Sequence, residues 1–239
     1  MVSRTDRGSV RSNNEDAVAV DPTLGVAILA DGMGGLQAGE VASAEAVDIV
    51  RSFLSALAEI DEHSLNEAIS TANARIFDLA EFGDDIVALG TTLVVWTAAP
   101  GGGRCMVANV GDSRAYRLRD TVLTQLTRDH SLIQQLIDSG ALSAEQARGA
   151  THRNVITRAV GLEREVTVDI ETHDCRPGDL YLLCSDGLTD MLSDAAIEDL
   201  LEPDALVDQK TLRDAADNLI EAANAAGGAD NISIALIVI

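Results

Sequence analysis

The 239-residue chain holds 39 acidic against 17 basic side chains, a formal net charge of −22, and 46% of it is hydrophobic. That balance argues against nucleic acid, whose phosphates need basic neutralisation, and against an anionic membrane surface, while it suits cations gathered in an acidic cleft. The length allows one large domain, and with only 3% aromatic residues its core must be aliphatic.

From the N-terminus, Met1 to Asp16 is polar and lacks the apolar stretch of a secretion signal. Strands are predicted over Asp16–Val20 and Gly25–Ala30, β-branched or apolar runs bounded by turn residues. A helical stripe follows from Glu40, carrying Val41, Ala44, Val47, Phe53, Leu54 and Leu57. Ser64 with Glu67 reads as a capping box that opens a second helix, whose apolar positions are Leu65, Ile69, Ala72, Ile76 and Leu79. Thr91–Thr97 reads as a strand that turns through Pro100 and Gly101-Gly102-Gly103, a hairpin loop. Arg104–Asn109, Arg114–Leu118 and Val122–Leu126 then look like an antiparallel meander.

Between Arg128 and Gly161 the pattern changes. A short helix over Leu132–Ser139 and another capped by Ser143 over Ala144–Ala147 lead into the polar run 149–154. Inserted between strands, this stretch is a candidate flap over a site; a surface excursion with no role is the alternative. Strands are predicted again over Val166–Glu171, Leu180–Ser185 and Asn231–Ile239. A third helical stripe (Leu212, Ala215, Ala216, Leu219, Ile220, Ala223) is stopped by Gly227-Gly228. The order implies central sheets with helices outside rather than β-α-β alternation. With no linker and no repeat, the expected organisation is one domain over 1–239 with a flap at about 128–161.

Several site classes drop out by inspection. Lys210 is the only lysine and no Gly-x-x-x-x-Gly-Lys precedes it, so there is no Walker loop. Cys105, Cys175 and Cys184 make no Cys-x-x-Cys pair, and none begins the Cys-x₅-Arg loop by which thiolate phosphatases hold phosphate. They are expected to be free, buried thiols in a reducing cytoplasm. The longest apolar run, at the C-terminus, is too short for a membrane-crossing helix.

Five acidic and glycine-rich segments remain: Arg11-Ser12-Asn13-Asn14-Glu15-Asp16, Asp31-Gly32-Met33-Gly34-Gly35, Gly111-Asp112-Ser113-Arg114, Ser185-Asp186-Gly187 and Asp230-Asn231. Taken singly, an Asp-Gly pair is a turn. As a set, each carboxylate abuts an apolar run destined for the core, where unpaired carboxylates repel one another and resist burial. Shared hard cations with oxygen ligands and retained waters, Mg²⁺ or Mn²⁺, relieve both problems.

In order and spacing these segments resemble the metal-dependent Ser/Thr protein phosphatases of type 2C (the PPM family) in their compact bacterial form. The resemblance also takes in Asp6-x-Gly8-x-x-Arg11, Gly90-Thr91-Thr92, Asp129-His130-Ser131, Asn154-Val155-Ile156-Thr157-Arg158 and Pro177-Gly178-Asp179, and so nearly the whole chain. It implies an α+β fold, a four-layer αββα sandwich of two antiparallel sheets flanked by antiparallel helices, with a flap insertion. It also implies two Mn²⁺ or Mg²⁺ ions, bridged by Asp31 at about 3.5–4 Å. By motif, Asp186 and Asp230 belong to the first ion; the Gly32 carbonyl and, through water, Glu15 belong to the second. Asp16 is an outer-shell acid, Asp112 with Asp186 makes a third metal site, and Arg11 binds phosphate.

The implied reaction is hydrolysis of phosphoserine and phosphothreonine in proteins by a metal-bridging water or hydroxide, opposing a Ser/Thr kinase, with the enzyme a cytoplasmic monomer. Met33 departs from eukaryotic relatives, which often carry a histidine there as a candidate acid for the leaving group; metal-bound water is the substitute. Of the four histidines, His63 and His173 read as surface residues, His130 as structural, and His152 lies in the flap without an assigned role. Two other readings stand beside this one: a catalytically weak phosphoprotein-binding module of the same fold, and a metal-buffering protein.

Overall fold

The computed structural model describes residues 1–34, 38–82, 89–147, 155–201 and 208–239. In chain order the first elements are β1 (Val2–Asp6), β2 (Asp16–Asp21), β3 (Val26–Gly34), α1 (Ala38–Ser55), α2 (Glu62–Phe82), β4 (Leu89–Thr91), β5 (Leu93–Ala98) and β6 (Arg104–Val110). There follow β7 (Arg114–Arg119), β8 (Val122–Gln125), α3 (Leu132–Asp138), α4 (Ala144–Ala147), β9 (Asp169–Asp174), β10 (Leu180–Cys184), α5 (Asp186–Thr189), α6 (Asp194–Leu200), α7 (Gln209–Ala225) and β11 (Ile232–Val238). The first sheet is ordered β2-β3-β5-β6-β9, with β4 paired to the far end of β3, and the second β1-β11-β10-β7-β8. Every pairing is antiparallel.

Period-two alternation explains why the sheets stack. In β3, Ala27 and Leu29 face the other sheet and meet Val94, Trp96, Tyr181 and Ile237, whereas Ile28 and Ala30 face the helices. The Trp96 and Tyr181 rings lie 5.5 Å apart at the centre of that inter-sheet core. On the outside of the first sheet, Ile28 and Val95 pack with Val50 and Leu54 of α1 and Ile69 and Ile76 of α2. On the outside of the second, Leu182 and Ile234 pack with Leu188, Ile197 and Leu219 from α5, α6 and α7. The result is helix, sheet, sheet, helix, the architecture the family resemblance implies. Among the described residues no helix is long and apolar enough to cross a membrane.

Four local expectations need correction. The meander is only half present: β7 pairs with β8 as expected, and with β10, but β6 pairs with β5 and β9 in the other sheet. Gly111, at φ +113°, turns the chain from one sheet to the other, with the Thr92 side chain 2.7 Å from where a Cβ would stand. The second helix begins at Glu62, because Asp61 is the cap: Ser64 N–H donates to Asp61 Oδ1 (2.8 Å) and Asp61 N–H to Ser64 Oγ (2.9 Å). β9 starts at Asp169, three residues beyond the predicted Val166. Val166 and Val168 still pack against the first core, but the ladder with β6 opens at Asp169 opposite Asn109. Finally, the polar Val2–Asp6 is a strand, held by its register against Ile232–Leu236 of β11. Of the cysteines, Cys105 and Cys184 are buried and Cys175 half-buried, all three free. His63 is exposed, whereas His173 is half-buried rather than on the surface.

Candidate active site

The predicted carboxylates meet where one end of the sandwich opens between the sheets. Asp31 is not at the end of its strand, as the sequence suggested, but inside β3, directly opposite Asp16 of β2. Its main chain is tied down by the Gly90-Thr91-Thr92 segment. Asp31 N–H donates to Thr92 Oγ1 (2.9 Å), while its carbonyl accepts from Thr92 N–H and Thr91 Oγ1 (both 2.8 Å). Thr92 Oγ1 in turn lies 2.7 Å from Ser113 Oγ, which joins this support to the turn carrying Asp112.

Gly32 donates its N–H to the Glu15 carbonyl at 3.1 Å. Any Cβ at Gly32 would fall 2.0 Å from the Gly39 carbonyl oxygen, and one at Gly39 2.6 Å from Glu15 Oε2. Two glycines thus let β3 and α1 close on Glu15. Asn231 laces the remaining loops together: Oδ1 accepts from Glu15 N–H (2.8 Å), and Nδ2 donates to the carbonyls of Arg7 and Asn13 (both 2.9 Å). Gly187 backs directly onto the Asn231 carbonyl, so that Asp186, the first residue of α5, stands beside Asp230.

Electrostatics define the site more sharply than distance. Burial pushes Asp16 up to about 6, with Ser185 Oγ donating to its Oδ2 at 2.8 Å. Burial, followed by the charges of Asp16, Asp186, Asp112 and Asp230, holds Asp31 well above the usual carboxylate range. Burial and then Asp112, Asp190 and Asp230 do the same for Asp186, and burial and then Asp129 lift Asp112 to about 6. Among the described residues, none of the ion pairs reaches these four carboxylates. Among the described residues the buried Asp16 Oδ1 has no hydrogen-bond partner. Nor do any three His, Cys, Asp or Glu side chains among the described residues form a closed metal cage. The donor set is therefore carboxylate and carbonyl oxygen spread over a wide mouth. It fits hard divalent cations that keep much of their water, and it lacks the cationic charge such ions supply.

Arg11 sits at the rim, half-exposed, with Nη2 2.6 Å from Asp230 Oδ2. Glu15 Oε1 accepts from Asn13 Nδ2 at 2.9 Å. A cleft of about 590 Å³ runs outward from Asp112 and Asp186, walled by Asp129, Asp190, Ile133 and Met191. Arg114 on its floor is fully engaged, with Nε and Nη2 on Asp129 (2.9 and 2.7 Å) and Nη1 on Tyr116 Oη (3.0 Å). Sequence reasoning brought Asp16, Asp31, Asp112, Asp186, Asp230, Glu15, Gly32 and Arg11 to one place. It gave no role to Ser185, Thr92, Ser113, Asn231 or Gly39. Four of these stand within or beside the conspicuous motifs, and Gly39 carried no signal. The polar run 149–154, with His152, lies outside the described residues.

A family model described as Protein phosphatase 2C matches residues 5–233. The chain belongs to that family. The serine/threonine phosphatase Stp of Listeria innocua is 40% identical over 242 residues, covering 98% of this chain and 93% of that protein. The crystal structure of the Mycobacterium tuberculosis serine/threonine phosphatase PstP superposes with a TM-score of 0.86 at 36% identity, over 98% of this chain and 95% of that one. The catalytic domain of PstP in complex with 2 manganese ions matches with a TM-score of 0.85 at 36% identity, over 98% and 95% of the two chains. This phosphatase 2C is a protein-serine/threonine phosphatase, a metal-dependent hydrolase whose substrates are phosphorylated proteins.

Proposed function

We propose that the chain, acting as one catalytic domain with 128–161 as its flap, hydrolyses phosphoserine and phosphothreonine in cytoplasmic proteins and opposes a Ser/Thr kinase, as a monomer holding two Mn²⁺ or Mg²⁺ ions and a third at Asp112. The observation that carries this reading is the set of desolvated carboxylates that, among the described residues, pair with no protein cation, Asp16 Oδ1 lacking any partner there. Bound divalent ions supply such a site with positive charge for the phosphoryl oxygens and with a water of lowered pKa.

The protein's own part is to hold and orient. Asp31, clamped at both its N–H and its carbonyl by Thr91 and Thr92, presents its carboxylate from a rigid strand and would be shared by both ions. Asp186 and Asp230, at the start of α5 and in the turn before β11, would hold one ion, and the Gly32 carbonyl and, through water, Glu15 would hold the second. Asp16, held by Ser185, would orient water around the ions. Arg11, whose planar fork can grip two phosphate oxygens, would exchange its contact with Asp230 for the substrate phosphate. Met33 can donate no proton, so the serine or threonine leaving group takes its proton from water.

The test is turnover of a phosphothreonine peptide and of nitrophenyl phosphate, with Mn²⁺, with Mg²⁺ and with chelator. Activity that needs the metal, ends with chelator and survives thiol alkylation is expected. Binding of phosphopeptide without turnover under every metal condition would instead establish a phosphoprotein-binding module. Full turnover in chelator would remove the ions from the mechanism.

A further inference from the structure

The segment between β8 and β9 is zipped shut at its base. Ser131 and Ile156 form an isolated antiparallel bridge, Leu132 N–H donates to the Val155 carbonyl (2.8 Å), and Thr157 N–H donates to the His130 carbonyl (2.8 Å). His130 stands at the inner end of this zipper with its side chain 8% exposed. Its main-chain N–H donates to the Gly111 carbonyl (2.9 Å), and Gly111 N–H donates back to ring Nδ1 (3.0 Å). A nitrogen that accepts an N–H carries no proton, so the proton of the neutral ring is on Nε2. Nε2 faces Asp169 Oδ2 at 3.0 Å, donating to that carboxylate. Arg158 Nη1 holds the other oxygen, Asp169 Oδ1, at 2.7 Å and the Thr167 carbonyl at 3.2 Å. Arg158 Nη1 also lies 2.9 Å from Nε2, but two N–H groups cannot bond each other, so it steadies the ring through Asp169.

The other end of this chain of bonds is the active site. Gly111 is fixed on every side: its carbonyl also accepts from Asn109 Nδ2 (3.2 Å), its φ is +113°, and Thr92 leaves no room for a Cβ. The next residue is Asp112, and Ser113 beyond it touches Thr92, which holds Asp31. We propose that His130 is a positioning residue that, through the Gly111 peptide, couples the base of the β8–β9 segment at Thr157, Arg158 and Asp169 to the carboxylate of Asp112. The inference rests on the reading of Asp112 as an active-site carboxylate. A shift at the base of that segment would move the His130 ring, and with it the peptide from which Asp112 projects.

Two substitutions divide the ring's two bonds. In His130→Asn, Oδ1 falls close to the place of Nδ1 and keeps the acceptor for Gly111 while losing Asp169. In His130→Gln, the amide reaches toward Asp169 and the Gly111 acceptor is lost. With a coupling role, His130→Asn, which still holds Gly111 but is no longer oriented by Asp169, loses kcat only a few-fold. His130→Gln loses kcat on the order of tenfold, the lower end for removal of a support behind a ligand, and needs more Mn²⁺ for half-activity at unchanged peptide KM. A purely structural histidine would lose stability and activity to similar extents in both.

A second readout needs neither turnover nor a variant. Nitrogen NMR of the metal-free wild type should show His130 Nδ1 unprotonated and Nε2 protonated, with a hydrogen-bonded Gly111 amide that persists in His130→Asn and shifts in His130→Gln. A protonated Nδ1, or equal losses in the two variants, overturns the proposal. If the wild type turns over no substrate, the phosphatase reading fails, while the NMR result still decides whether His130 holds Gly111.

Discussion

Asp16 and Asp31 face each other across β2 and β3, a placement of like charges that costs stability unless something positive lies between them. Burial raises Asp16 from 3.8 to about 6. The folded-state value thus lies above the unfolded one, so the unliganded fold is favoured at low pH and loses that contribution as pH rises from about 4 through 6. In chelator, Asp16→Asn should therefore melt above the wild type at pH 7.5, and the difference should shrink steadily as the pH is lowered toward 4. Calorimetry of both proteins over that range checks it; a pH-independent difference would place the cost elsewhere. Asp31→Asn should behave oppositely in function, losing far more than the 10- to 100-fold typical of a supporting contact, because the proposed bridging ligand is removed. Metal titration by calorimetry, with kcat alongside, separates lost ions from lost fold. Arg11 makes a different prediction. A charge-assisted bond is worth roughly 1.5–3 kcal/mol, so Arg11→Ala should raise KM for phosphopeptides about tenfold to a hundredfold, with a smaller effect on kcat. An unchanged KM would leave Arg11 as a partner of Asp230 alone.

At the scale of elements, the site depends on how closely backbones approach. A Cβ on Gly187 would stand 1.9 Å from the Asn231 carbonyl oxygen, so Gly187→Ala must push α5 from the β11 turn and part Asp186 from Asp230. The expected cost is about 1–3 kcal/mol in chelator, from overpacking. Metal affinity should fall by more than this loss of stability explains, as thermal unfolding with and without Mn²⁺ would show. Such contacts mark the boundary of what the sequence discloses. Helical stripes revealed α1, α2 and α7 because their buried faces repeat every three or four residues. The ordered carboxylate motifs pointed to the candidate site. The polar β1 was missed and β9 misplaced because their partners, β11 and β6, set the ladders rather than hydrophobicity. The meander was misread because one glycine, Gly111, decides whether successive strands share a sheet. Asn231 and Gly39 act at short range on residues far away in the chain, and no local pattern announces such pairs.

For the whole molecule, the dominant fact is the net charge of −22. A phosphorylated substrate is an anion, and an acidic protein repels it until it comes within reach of the proposed ions and of Arg11 in its proposed role. This repulsion acts on encounter and is long-ranged only at low salt, since the screening length falls from about 30 Å at 0.01 M to about 10 Å at 0.1 M. With Mn²⁺ held saturating, kcat/KM for a phosphothreonine peptide flanked by glutamates should therefore rise several-fold over that range. For the same peptide flanked by arginines it should fall, because salt then screens an attraction. Saturating kcat should move little for either, since the chemical step occurs inside a site whose charges are fixed and partly buried. The paired design matters: a general effect of salt on metal occupancy or on the fold would move both peptides in one direction. Opposite slopes would assign the salt dependence to the field of the acidic surface; parallel slopes would show that the ions at the carboxylates already screen that field from the substrate.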